Sequence, residues 1–258
     1  MNDLDNMNVA DLKVWYESYY SPANATLVVV GDVQADDVFA LAERYYGVIP
    51  KRDVISTKPR LEPAQKGSRR VEVKAIATLP YLMLGYKVPT LRTATDKTEA
   101  YALNILAGIL DGGRSARLSK HLVREQEIAA SAGAGYSLYS QHESLFMFEA
   151  TPNTGSTVDQ LEQALEVEIK KLQTELVSAE ELARVKAQVV ANEVYQLDSV
   201  QRQAYMIGSL ESVGLGWQTM QTYAANVQSV TAEQVRAAAQ KYLIDDTKTV
   251  ALLTPVDS

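Results

Sequence analysis

Three kinds of side-chain grouping would let this chain hydrolyse a bond: a metal-bound water, an activated nucleophile, or a carboxylate pair. The sequence has two histidines, His121 and His142, and no cysteine. A helical zinc hydrolase sets two histidines one turn apart, with a glutamate to take a proton from metal-bound water. Around His121, positions 117, 118, 124 and 125 hold Arg, Leu, Arg and Glu, and His142 lies in a polar turn 21 residues away. Without thiolates, no conventional zinc cage can be assembled, and disulfides and cysteine catalysis are excluded. Both histidines are expected to be surface or partly buried polar residues.

The other chemistries fare no better. The G-x-S-x-G elbow and the phosphate-binding loop do not occur. "GAGYSL" at 133–138 lacks the third glycine of a dinucleotide fingerprint and enters a strand. Gly133 and Gly135 are therefore expected at a bulge or a close backbone approach, and Gly112-Gly113 at a helix stop. Glu125/Glu127 and Glu180/Glu181 are too close in sequence to face one another across a site. Trp15 and Tyr19 share a helix face and are expected to pack in a core or an interface. The reading is no catalytic residue, no metal ligand and no cofactor in this chain.

What must position any site is a chain of 258 residues, 47% hydrophobic and 22% charged, which is globular composition. Its net charge of −7 argues against nucleic acid as a partner. The basic cluster Lys66 to Lys74 is expected to be a solvated part of a linker. No apolar run approaches the length of a membrane span, and no signal-peptide pattern opens the sequence. The compartment is left open between bacterial periplasm and cytoplasm.

Periodicity predicts a helix over 35–46, ended by Gly47. The polar stretch that follows carries Pro50, Pro59 and Pro63 and reads as a linker over 51–69. Two strands follow within 71–88, broken near Pro80. A helix runs from Thr95 to Gly112, and a second from Ser115 to Glu125. A hairpin covers 129–151 with its turn at 140–144. Helices are expected at 158–176, at 179–209 behind the capping box of Ser178 and Glu181, and at 217–227. A final helix and strand close the chain. This order is not the strict alternation of a parallel sheet. It fits an α+β fold, a mainly antiparallel sheet with helices packed on one face.

One pattern occurs twice. Residues 8–33, NVADLKVWYESYYSPANATLVVVGDV, align without a gap on residues 231–256, TAEQVRAAAQKYLIDDTKTVALLTPV, at an offset of 223. Tyr19 falls on Tyr242, Thr26 on Thr249 and Val33 on Val256. Each stretch reads as a capped helix, a polar turn and a β-branched strand. Two unrelated units of one common type remain an alternative, but the cap, the turn length and the strand all keep register. A true repeat implies the end of one domain over 1–50 and a second domain over 70–258. The Trp and Tyr faces of the first part should then pack on the second domain or on another copy.

The stretches "YYSPANATLVVVGDV" and "LAERYYGVIPKR", together with "AGILDGGRSARLSKHLVREQEIAASAGAGY" at 107–136, resemble the insulinase/pitrilysin family of zinc metallopeptidases. That resemblance implies repeated α+β domains, with an inverted His-x-x-Glu-His zinc motif early in the first. This sequence contains no such motif, so zinc is expected in a missing N-terminal domain of the parent. The chain then looks like the metal-free portion, which in the family completes a closed chamber and holds extended peptide. Some family members supply an Arg and a Tyr from this portion. Those would fall near Leu145 and Thr154, where neither residue type is present. Tyr136, Tyr139 and Leu145 are the substrate-chamber candidates. The implied partners are a peptide substrate and the N-terminal zinc domain or a homologous subunit in a dimer. The alternatives are an inert structural or assembly subunit related to these peptidases, and an unrelated α+β binding module.

Overall fold

The computed structural model describes residues 2–53, 55 and 63–256. Strands β1 (Arg69–Ile76), β2 (Tyr81–Val88), β3 (Ala129–Tyr136), β4 (Ser144–Pro152) and β5 (Lys248–Val256) form one sheet in the order β1-β5-β2-β4-β3. The pairs β5–β2, β2–β4 and β4–β3 are antiparallel, and β1 runs parallel to β5. The sheet is thus mixed but mainly antiparallel, and the fold is α+β as the element order predicts.

Strict alternation gives the sheet two different faces. On β2, Leu82, Leu84, Tyr86 and Val88 are buried, and they pair across to Ala150, Phe148 and Phe146 of β4. Phe146 and Phe148 lie with ring centroids 5.4 Å apart, and Tyr86 meets Phe148 edge-on. The helices cover this face. Helix α4 (Lys97–Asp111) starts at the Asp96 cap and buries residues nearly all round, among them Leu103, Ile105, Leu106 and Ile109. A helix apolar on every side belongs in the centre of the layer. Helix α5 (Val158–Thr174) buries the one-sided stripe Leu161, Leu165, Ile169 and Leu172, with Glu168 beside it, behind the capping box of Thr157 and Gln160. Helices α6 (Ala179–Gln196), α8 (Thr219–Ser229) and α9 (Ala232–Tyr242) complete the layer.

Several expectations need correction. The helix expected over 179–209 is two, α6 and α7 (Val200–Ser212), because the Ser199 side chain accepts from the Arg202 amide and caps a new start. The turn expected as a plain helix over 115–125 widens into a π-helix at Ser119–Glu125, where the Gln126 amide reaches the His121 carbonyl. The basic cluster at 66–74 is largely strand, and Arg70 within it is tied to Glu162 at 2.8 Å. The expected linker falls in large part outside the described residues. Its end is anchored: Gln65 is buried and its Nε2 donates to the Lys248 carbonyl at 2.7 Å.

Before the sheet come α1 (Asn2–Asn6), α2 (Val9–Tyr19) and α3 (Ala35–Tyr46). Helix α2 buries no residue. Trp15, Tyr16 and Tyr20 pack on one another and stay exposed rather than covering the sheet or its helical layer. The β-branched run at 25–30 is not a strand here, because among the described residues no neighbouring strand offers it a ladder. The run approaches the helical layer at α7, where a Cβ on Gly208 would lie 3.7 Å from Val28 Cγ2.

Candidate functional site

The face of the sheet turned away from the helices is open. Ladder register sets its side chains in rows across the strands. One row reads Arg69, Thr249, Gly85, Met147, Gly135. Beside it stand Lys87 and Leu145, and on the other side Val71, Ala251, Met83 and Glu149. A groove of about 1340 Å³ lies over the first two rows and is closed at one end by the β3–β4 turn with His142 and Glu143.

The two glycines in that row act differently. A Cβ on Gly85 would come 3.1 Å from Met147 Sδ and 3.5 Å from Leu145 Cδ1, so those side chains lean over it. A Cβ on Gly135 would meet nothing within 4 Å, which leaves an open slot beside Met147. Gly135 therefore serves as an uncovered floor. Further along the face, Tyr81 donates to Glu149 at 2.7 Å, and that bond together with burial pushes the Tyr81 pKa up to about 12.

The three chamber candidates separate. Leu145 stands on the open face, 43% exposed. Tyr136 borders the groove, but its ring stacks on Phe146 on the helical side and its hydroxyl donates to the Pro89 carbonyl at 2.7 Å. Burial pushes the Tyr136 phenol up. Tyr139 is brought to the helical layer instead, with its ring 6.4 Å from that of Tyr223, and burial pushes its phenol up as well. Sequence reasoning missed Arg69, Lys87 and Met147. Alternation along β2 carries Lys87 and Gly85 on the face opposite Leu84 and Tyr86, but which strands flank β2 is not written locally.

A second polar cluster lies on the helical side. Glu168 is 1% exposed, and its carboxylate takes Lys171 Nζ at 2.7 Å and faces His121 Nδ1 at 3.0 Å. Next to it Arg117 holds Glu181 in a two-point pair at 3.0 and 2.7 Å. Burial pushes the Glu181 carboxyl up, but the Arg117 bond and charge outweigh it and the net shift is down. These residues do not fit a zinc ion. His121 and His142 sit on opposite faces of the sheet, and the one carboxylate facing His121 already holds an ammonium. Among the described residues no group of three or more histidine, aspartate or glutamate side chains could hold a metal. Among them, too, no helix is long and apolar enough to cross a membrane.

Comparison with known proteins completes this picture. The family model described as the peptidase M16 inactive domain matches residues 6–189. The chain belongs to the peptidase M16 inactive-domain family. It is 31% identical over 202 residues to the zinc protease PqqE of Helicobacter pylori, a match covering 77% of this chain and 44% of that protein. The chain thus spans about half the length of such relatives. A solved protease from Helicobacter pylori superposes with a TM-score of 0.90 at 28% identity, covering 99% of this chain and 61% of that one. An M16 inactive domain from Pseudomonas fluorescens shares the fold, with a TM-score of 0.80 at 20% identity over 98% of this chain. The open-faced sheet and its helical layer are therefore the M16 inactive-domain fold, and the set of zinc protease relatives agrees with it.

Proposed function

We propose that this chain is the non-catalytic C-terminal portion of a zinc metalloendopeptidase, in which its open sheet face walls the proteolytic chamber and holds peptide in extended form. The observation that carries this reading is the pair of matched units at 8–33 and 231–256, of which one is built into a sheet and the other is not. In this reading residues 1–50 end a preceding domain, 51–69 link, and 70–258 form the metal-free domain. The run at 25–33 is then a strand of the preceding domain's sheet, and zinc belongs to that domain or to a homologous subunit. Extended peptide suits a sheet-walled chamber because backbone and shallow side-chain contacts tolerate many sequences, while the enclosure limits size.

The test is reconstitution. Alone, the chain should retain no zinc after dialysis and should cleave no peptide. Mixed with the upstream half of its parent protein, it should support cleavage that a chelator abolishes. One tightly bound zinc per isolated chain, together with cleavage, would sink the proposal. An upstream half without His-x-x-Glu-His would instead favour an inert assembly subunit.

A further inference from the structure

We propose that helix α7 docks on the open face of the preceding domain's sheet, with Gly208 seated on the strand at 25–33 and Tyr205 reaching the strand beside it. This rests on the reading above, in which residues 1–50 end a preceding domain, and it adds how the two domains meet.

The two faces of the run at 25–30 are unequal. Val28 and Val30 are partly buried, while Leu27 and Val29, which alternate with them, are 56% and 47% exposed. That is the pattern of an extended chain covered on one side. Helix α7 lies on the Val28 side, since a Cβ on Gly208 would stand 3.7 Å from Val28 Cγ2.

The matched unit tells which face this is. At the offset of 223, Val28 falls on Ala251 and Val30 on Leu253. In β5 those two stand on the open face, across from Met83 and Tyr81. Leu27 and Val29 fall on Val250 and Leu252. Val250 is buried on the helical side, and Leu252 pairs with buried Leu82. Helix α7 therefore occupies the face that this chain's own sheet leaves open. The bare face at Leu27 and Val29 belongs to the preceding domain's own helices.

Helix α7 is built for two contacts. Its buried residues are Met206 and Leu210, and the helical period puts Gly208 on the opposite side. With no side chain at Gly208, a sheet can come close. Tyr205 stands one turn before it, 64% exposed, with the Arg202 guanidinium 5.5 Å from its ring centroid. A helix is about 10 Å wide and neighbouring strands lie about 4.8 Å apart, so a helix seated over one strand reaches the next. Among the described residues no strand flanks 25–33. Once neighbours flank it as β1 and β2 flank β5, a tyrosine in that place becomes an interface anchor.

The experiment is thiol modification of the full chain, alone and with the upstream half of its parent protein. The chain has no cysteine, so Tyr205→Cys gives one thiol. Val167→Cys, at a position 53% exposed on α5, is the control. With the upstream half bound, the thiol at 205 should react about tenfold more slowly, and the thiol at 167 at an unchanged rate. Gly208→Leu should weaken binding of the upstream half about tenfold while the chain keeps its helical circular dichroism. Binding that leaves the thiol at 205 as reactive as before would overturn the α7 contact and leave the preceding-domain reading standing. Protection that appears on concentrating the chain alone would give this surface to a second copy and overturn the contact as well. An upstream half that does not bind would overturn both.

Discussion

Helix α2 and helix α9 are the same object in two settings. Each is 11 residues long, each carries a capping box, and each leads into a three-residue 3₁₀ turn, at Pro22–Asn24 and Asp245–Thr247. Every boundary differs by the same 223 residues. Their surroundings differ completely. Helix α9 buries Val235, Ala238 and Ala239, and the strand after it is paired on both sides. Helix α2 buries nothing, and the stretch after it has no ladder. Leu12, the counterpart of Val235, is 53% exposed where Val235 is 0% exposed. Capping and turn chemistry therefore suffice to shape a unit, but the fold's free energy comes from what the unit packs against.

The sharpest way to break this comparison is one substitution made twice. Val235→Asp buries an unpartnered carboxylate and should cost more than about 4 kcal/mol, enough to prevent stable folding. Leu12→Asp should stay within about 0.5 kcal/mol by urea denaturation. A large loss at Leu12 would mean that α2 is docked after all. The caps give a smaller contrast. Thr231→Ala should lower global stability by about 1 kcal/mol, while Asn8→Ala should lower only the helicity of α2 and leave the unfolding midpoint in place. The smallest effect is electrostatic. Burial alone would lower the Lys248 pKa, but the bond to Glu166 and the nearby Asp245 outweigh it, and the net shift is up. A raised ammonium contributes stability below the unfolded lysine value, about 10.4, and loses it as pH rises through the folded value. Lys248→Ala should therefore cost about 0.5 kcal/mol at neutral pH and nothing in strong alkali. The counterpart at position 25 is already alanine, so the early segment has no such alkaline limb.

Much of the local structure was legible. Ala35–Tyr46 and the starts of α5, α6 and α9 follow from apolar spacing and from Thr157, Ser178 and Thr231 as caps. The break between α6 and α7 was missed because the apolar period runs through it, and Ser199 acts as a cap only once the chain turns there. The run at 25–30 has every local mark of a strand, yet a strand exists only where a partner supplies the other half of its hydrogen bonds. Leu145 was named through the family resemblance, and strand pairing sets it beside Lys87 on the open face. Arg69 was not, since its place in the groove depends on β1 lying beside β5, a contact between residues some 180 positions apart in the chain.

By itself the sequence determined most of the helices, most of their caps and the α+β class, because each of these is set by neighbours within a few residues. Only the tertiary structure decided which of two matching units is buried and which side chains meet on the open face. Burial and cross-strand pairing join distant parts of the chain, and no local pattern encodes which parts those are.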